Sequence, residues 1–576
     1  DRVAALGKKF SVCIVRDNSS YSIRGGTIGG RGDILMASVV AKALKMKYGK
    51  QVEVFMKVMP GGEQLLKYNP YIDKVFTDDD KLAAAKVDVK FVANEVEFAL
   101  EMEDINSGRK PSVNRPALYM KQFGLSLINK APVYIVDEGE TNWARGELLR
   151  RGYILNDKII GVQMKGSNIS RTWTRVEEFA ASLQKDGFQV LYLDEMRKDD
   201  PEIFRYTLRQ SAALMKQTKL VVAPNSACFH LAGAMRHRCV ALFGSVDSAI
   251  WVEDYEKTVA VEGKCPKSEN KCWWKLPCLP GANMQEKELA RSPECMTGIT
   301  VGGVRGAMDK HYGAKKIGIL LLTFNCLEST KKTVDSIRSF HDCELFVVDN
   351  GSTDGTVEWF RDQGIKIVSA KMSVTQAQNT GFRMILGAGD FDYLMILNND
   401  VILAANYIDT LVEIIERRKC GAATGRVFEG SEFANGSFQK ISVDNERAIT
   451  SMVAGDLSAI LFAVGTIKAV GAMDERFFPR YQEDEDIILR VRLSGREIVK
   501  TQRSGFFHRL GTTQDNHPEE KAKYSENWNR NVGKFKEKWN FDPYGQRSTV
   551  DRLESVEALC PDWEKNIYIP LELVKE

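Results

Sequence analysis

Tyr393-Leu394-Met395-Ile396-Leu397-Asn398-Asn399-Asp400 is an apolar run that stops abruptly at two amides and a carboxylate. Such a run reads as a buried strand. Asp400 then falls at its carboxyl end, the edge at which open α/β sheets bind ligands. A carboxylate there can hold a hard divalent cation able to neutralise a diphosphate. The same pattern also suits an Asp that merely caps a turn, so the neighbouring segments decide.

Upstream, residues 316–325 (KIGILLLTFN) read as a strand, 329–340 as a helix, and 344–348 (ELFVV) as a second strand. The second strand ends at Asp349-Asn350-Gly351-Ser352-Thr353-Asp354-Gly355-Thr356. This is a βαβ unit whose strands finish side by side in polar loops. Asp349 can accept hydrogen bonds from a base or ribose, and Gly351 allows close backbone approach. Downstream, Glu483-Asp484-Glu485-Asp486 opens an apolar helix. One or two acids there are explained by the positive helix N-terminus. Four in a row repel one another, so a cation or a site accounts better for the whole cluster. His508 follows a strand-like stretch and is expected as a second ligand to the cation at Asp400.

On these pieces, with Asn379-Thr380-Gly381 between them, residues from about 315 to 576 resemble the family-2 glycosyltransferases of GT-A fold, especially the rhamnosyltransferase-like branch. The resemblance implies that Asp484 is the general base and that Asp400 carries Mn2+ or Mg2+. It implies nucleotide-sugar-binding roles for Thr323, Asn325, Asp349, Asn350, Asn379, Asn399 and Glu483. Asn398 stands where many relatives have the first Asp of an Asp-x-Asp triplet, which leaves one carboxylate for the metal. A single in-line displacement, with a carboxylate opposite the leaving group taking the acceptor proton, inverts the anomeric carbon.

The first half carries its own α/β pattern. A strand at 10–15 (FSVCIV) precedes a glycine-rich loop, residues 24–33, and a helix over 34–48. Residues 158–163 open a second half, which continues with a helix at 176–185, strands at 189–193 and 220–222, a helix at 227–235 and a strand at 239–244. The halves join near 137–157, with a cleft between the lobes. Four pieces carry a second resemblance: Gly32-Asp33-Ile34-Leu35; Gly161-Val162-Gln163 with Ser170-Arg171-Thr172-Trp173; Asn225 through Ala234; and Leu242-Phe243-Gly244. On these, residues from about 8 to 312 resemble the ADP-heptose:lipopolysaccharide heptosyltransferase family of GT-B fold. The resemblance implies that Asp33 is a general base and that Arg171, Ser226 and His230 bind the nucleotide-sugar, the front of the 227 helix holding phosphate through backbone N–H groups. Arg171 stands for a usual Lys, Asn225 for a usual Asp and Thr174 for a usual Pro. No metal is needed in this half.

The expected architecture is therefore α/β throughout. A GT-B-like pair of Rossmann-type lobes (1–312, lobes about 1–145 and 146–312) is fused to a GT-A domain (313–576) ending in a helical tail. Glycines 298, 302, 303, 306 and 313 mark the junction, and a helix at 301–311 is expected to return to the first lobe.

A chain of 576 residues is too long for one core, and 44% hydrophobic with 27% charged residues excludes a wholly disordered class. No apolar run approaches the ~20 residues that span a bilayer, and the N-terminus lacks a signal-peptide pattern. Of eleven cysteines, Cys265, Cys272, Cys278 and Cys295 cluster and could hold structural Zn2+, though buried thiols suit the spacing as well. The rest are scattered, as expected of a cytoplasmic protein with reduced thiols. Tyr524, Trp528, Phe535 and Trp539 fall on one helical face flanked by Lys and Arg. They either pack inward or contact a membrane surface or glycolipid acceptor.

Three functions follow. The chain could be a bifunctional inverting transferase moving sugars from nucleotide-diphospho-sugars to a glycan or glycoconjugate, lipopolysaccharide or another surface polysaccharide foremost. It could instead be a single GT-A activity with a GT-B-like acceptor-binding module, or a transferase acting on modified DNA bases. A net charge of only +3 counts against nucleic acid.

Overall fold

The computed structural model describes residues 9–16, 22–23, 26–27, 31–93, 114–127, 129–156, 158–163, 166, 171–193, 206–265, 271–272, 293–428, 449–452, 457–508, 523–543 and 553–567. The chain forms two compact units, Asp1–Gly313 and Ala314–Glu576.

The front unit contains two parallel sheets, as expected of strands connected through helices. The first has the order β5-β4-β1-β6, from β1 (Phe10–Arg16), β4 (Val52–Val58), β5 (Lys74–Phe76) and β6 (Val89–Val92); β2 (Ser22–Ile23) and β3 (Gly26–Thr27) form a small antiparallel pair. The second has the order β11-β10-β9-β7-β8, from β7 (Ile159–Val162), β8 (Gln189–Tyr192), β9 (Leu220–Pro224), β10 (Cys239–Phe243) and β11 (Thr258–Glu262). β7, β9 and β10 are buried along their whole length. That is why they read as unbroken apolar runs rather than alternating ones.

One apolar core runs from Val12 and Leu35 of the first lobe to Phe229 and Ala241 of the second. Most of the expected lobe joint is helical: residues Glu138–Arg150 form a helix, capped by Asp137 in a reciprocal box with Glu140. The helix expected to start at Ile34 starts at Arg31. Gly32 and Asp33 therefore lie in its first turn, while 24–25 and 28–30 of the glycine-rich loop lie outside the described residues.

The glycine-marked junction is also mostly helix, Val301–Tyr312. It does not return to the first lobe. Val304, Ala307 and Met308 pack with Ile160, Val162 and Val240 of the second sheet, and His311 Nε2 lies 3.1 Å from the Cys239 carbonyl oxygen. This buried stripe outweighs the weak helix propensity of Gly302, Gly303 and Gly306.

The rear unit is built on a nine-stranded mixed sheet of order β14-β13-β12-β15-β19-β17-β20-β16, with β18 paired to β20. The strands are β12 (Lys316–Thr323), β13 (Asp342–Asp349), β14 (Ile367–Ser369), β15 (Tyr393–Asn398), β16 (Val401–Leu403), β17 (Ala422–Phe428), β18 (Ile449–Ser451), β19 (Ala459–Ala463) and β20 (Ile498–His508). β12, β13, β14 and β15 run parallel. β19 is antiparallel to β15 and to β17, while β20 is parallel to β17. The carboxyl ends of β12, β13, β15 and β20 consequently share one edge. The helix Glu483–Leu493 leads into β20 through a tight turn closed by Gly495 N to Arg492 O, 3.0 Å. β20 starts at the far edge, so the helix's first turn faces the shared carboxyl edge.

Gly381 explains part of the Asn379-Thr380-Gly381 motif. It sits on the helix Val374–Ala388, and a Cβ there would overlap the Leu320 side chain of β12. The helix can lie this close only on a bare backbone.

Candidate active site

At the shared edge, Asp349 closes β13 and is fully buried. Its Oδ1 accepts from the hydroxyls of Thr323 (2.9 Å) and Ser352. Its Oδ2 accepts from Gly351 N (3.0 Å), Ser352 N (2.9 Å) and Ser369 Oγ (2.7 Å). Five donors on one carboxylate make it the organiser of the loop that follows. Contact with a nucleotide would require a serine hydroxyl to turn outward.

Asn325, in left-handed backbone with φ 53°, accepts Thr353 N at 2.8 Å and donates its own N–H to Ser352 Oγ at 2.7 Å. Asn350 Oδ1 accepts Met372 N at 2.7 Å. Asn399 Nδ2 reaches Asn325 O (2.9 Å) and Thr330 Oγ1 (3.0 Å), tying the end of β15 to the end of β12. Thr323, Asn325, Asp349, Asn350 and Asn399 thus form one connected rim. Asn379 does not join it. It is fully buried, and its amide is engaged by Met473 N and O and by Glu475, so it shapes the loop at 473–475 from beneath.

Asp400 sits in the two-residue turn between β15 and β16. Its Oδ1 lies 3.3 Å from Nε2 of His508, the last residue of β20, and both side chains are about nine-tenths buried. One carboxylate and one imidazole could take Mn2+, which accepts an imidazole nitrogen more readily than Mg2+ does, and would leave coordination positions for a diphosphate. Among the described residues no three His, Cys, Asp or Glu gather as a metal cage.

The acidic turn at the head of helix Glu483–Leu493 divides into unlike members. Asp486 is fully buried and holds Arg490 Nε (2.9 Å), Lys538 Nζ (2.6 Å) and Trp539 Nε1 (2.9 Å). Glu483 is buried with its Oε2 unpartnered, and burial pushes its carboxyl up to about 7. Asp484 and Glu485 are half-buried. The preceding Tyr481 and Gln482 both have left-handed backbone, φ 82° and 74°, and Val374 N donates to Pro479 O at 3.0 Å. That bond joins this loop to the segment at 372–374, which also meets Asn350.

In the front unit Asp33 is ion-paired to Arg115 and lies 3.6 Å from Arg16 Nη2. Gly32 abuts the His230 ring so closely that a Cβ would overlap it. His230 Nδ1 lies 2.9 Å from Tyr255 Oη. Burial, assisted by Arg171 and Arg115 and opposed by Asp33, pushes His230 down to about 3. The ring is thus neutral, and Asp33, Arg115, Arg171 and His230 sit within one another's fields. Ser226, ahead of the helix Ala227–Ala234, donates to Gln163 Oε1. The structure therefore draws Asp33, Arg171 and His230 together across the lobes, and adds Arg16, Arg115 and Tyr255, which sequence reasoning missed. Arg16 was visible as a cation ending an otherwise apolar strand.

The zinc expectation is not supported. Cys278 lies outside the described residues, and Cys265, Cys272 and Cys295 form no metal cage. Cys295 is buried, its backbone pressed against Gly263 and its sulfur against Gly244. Among the described residues no helix is long and apolar enough to cross a membrane. Phe535 and Trp539 of the C-terminal helix Tyr524–Trp539 face inward, packed with Phe477, Leu489 and Phe541.

Residues 319–467 match the glycosyl transferase family 2 model, and residues 113–276 match that of glycosyltransferase family 9 (heptosyltransferase). The chain is a glycosyltransferase with a family-9 segment in its front unit and a family-2 segment in its rear unit. Asp400 falls inside the family-2 span, whereas Asp484 and His508 lie beyond it and Asp33 precedes the family-9 span. No curated protein matches the chain. Among solved structures, a family-9 glycosyl transferase from Veillonella parvula DSM 2008 is 12% identical, covering 44% of this chain and 86% of its own, at a TM-score of 0.36. E. coli ADP-heptose lps heptosyltransferase II is 14% identical, covering 52% and 98%, at 0.35. A mannosyltransferase from Pyrobaculum calidifontis, in complex with GDP-Man and Mn2+, is 15% identical, covering 34% and 58%, at 0.28.

Proposed function

We propose that this glycosyltransferase is bifunctional and inverting, each unit moving a sugar from a nucleotide-diphospho-sugar to a hydroxyl of a glycan or glycoconjugate, with a surface polysaccharide as the favoured acceptor. The observation that carries the rear half of the proposal is the pairing of Asp400 with His508 on the edge that also holds the Asp349 rim and the first turn bearing Asp484.

In the rear unit Asn325, Asn350 and Asn399 fix the two loops against which the nucleotide lies. Asp484 accepts the proton of the acceptor hydroxyl as its oxygen bonds to the anomeric carbon and the bond to the diphosphate oxygen breaks, worth typically ~10²–10⁴-fold in rate. Asp400 and His508 would hold a divalent cation, which when bound would supply countercharge for the departing diphosphate.

In the front unit Asp33 takes the corresponding proton and Arg171, with the N-terminus of helix Ala227–Ala234, faces the donor phosphates. A second reading is favoured by one feature: Asp33 is already paired to Arg115 and Arg16. If that pairing is permanent, the front unit binds acceptor without catalysis. The test uses the full chain, with a chelator and the variants Asp33→Ala and Asp484→Ala. Chelator should remove only the transfer that Asp484→Ala also removes, and the residue of activity should vanish with Asp33→Ala. If Asp33→Ala alters no transfer, the front unit is a binding module. Binding to duplex DNA at physiological salt would revive the nucleic-acid reading.

A further inference from the structure

The Glu483–Asp484 turn is held from outside the family-2 span. Five side chains of the C-terminal helix Tyr524–Trp539 reach the segment 474–486. Arg530 Nη2 donates to Phe478 O (3.1 Å) and Lys534 Nζ to Arg476 O. Asn531 Nδ2 donates to both Arg480 O (2.8 Å) and Tyr481 O (3.2 Å). Lys538 Nζ bridges Asp474 (2.9 Å) and Asp486 (2.6 Å), and Trp539 Nε1 meets Asp486 (2.9 Å).

These bonds fall where the backbone needs support. Two consecutive non-glycine residues in left-handed conformation, Tyr481 and Gln482, are strained and persist only where their surroundings over-determine them. Asn531 is fully buried, with its amide N–H groups engaged by this strained turn and its Oδ1 unpartnered. Reversing the amide would set Oδ1 against two carbonyl oxygens, so its orientation is dictated by the turn. Anchorage of the helix itself is separate: Phe535 and Trp539 pack with Phe477, Leu489 and Phe541. The polar bonds therefore add direction rather than bulk attachment.

We propose that the helix Tyr524–Trp539 is part of the rear active site, with Asn531, Lys538 and Trp539 as positioning residues that aim Asp484 through the strained turn before it. This rests on the reading of Asp484 as the base, and the test separates the two. The full-length chain is assayed in Mn2+ for nucleoside diphosphate release from UDP-, GDP- and dTDP-sugars. Asn531→Ala should lower kcat about 10²-fold, the scale of a misplacement of about an ångström, with donor KM within about twofold. Placed on Asp484→Asn, the same substitution should add almost nothing, because the group it aims is already disabled. An equal loss on both backgrounds, or a raised KM with intact kcat, overturns the proposal. Asp484→Asn with wild-type kcat instead refutes the base assignment, whatever Asn531→Ala does. Should Asn531→Ala fail to fold, Trp539→Phe keeps an aromatic ring and removes the indole N–H donor to Asp486. It should lose about tenfold in kcat with the same non-additivity, and unchanged kcat overturns the proposal.

Discussion

His508 Nε2 stands 3.3 Å from Asp400 Oδ1, joining the last residue of β20 to the turn between β15 and β16. Two strands far apart in sequence thus deliver two candidate ligands to one point. His508→Ala should raise the Mn2+ concentration for half-maximal rear-unit activity by about tenfold or more, the scale of losing an ordered ligand or its support. Asp400→Ala should abolish the Mn2+ response. An unchanged Mn2+ titration in His508→Ala would remove the imidazole from the site.

Gly381 is expected to resist any side chain. Gly381→Ala puts a methyl into Leu320, itself buried between β12 and the helix Val374–Ala388. The cost should be about 1–3 kcal/mol of rear-unit stability, read by urea unfolding. A neutral substitution would mean that the helix and strand can separate freely.

Glu483 predicts a pH dependence. Its folded carboxyl is pushed up from 4.5 to about 7 by burial, so the folded chain binds that proton more tightly than the unfolded chain does. Stability from this group is present below about pH 4.5 and is lost as pH rises to about 7. Glu483→Gln keeps a neutral amide at every pH. Its stability relative to wild type should therefore rise by roughly 3 kcal/mol between pH 4.5 and 8. A pH-independent difference would show Glu483 to be an ordinary carboxylate.

Asp33 and Arg115 give the front unit its own test. If Asp33 accepts a proton during transfer, Asp33→Asn should lower chelator-resistant activity by ~10²–10⁴-fold. Arg115→Ala should then change that activity as well, by altering the charge beside Asp33. Activity indifferent to both substitutions would leave the pair a structural ion pair between the helices Arg31–Tyr48 and Arg115–Phe123.

Much of the fold was legible because it rests on local signals. Fully buried strands such as β9, β10 and β15 read as apolar runs, and the Asp349 loop announces itself by composition. What stayed hidden depends on three-dimensional packing. Asn379 looked like a ligand contact, yet it is enclosed beneath residues 473–475. The helix Val301–Tyr312 was visible, but its seat on the second sheet was not, since only Val304, Ala307 and Met308 against that sheet decide it. Nothing in the spacing linked Asn531 to Tyr481, because such bonds join segments folded together after each has formed.

The acidic turn shows how folding reassigns charge. Written as letters, residues 483–486 are four equivalent anions. In the folded chain Asp486 is balanced by Arg490 and Lys538, and burial favours the protonated form of Glu483. Counting carboxylates therefore overstates the negative charge that this turn presents.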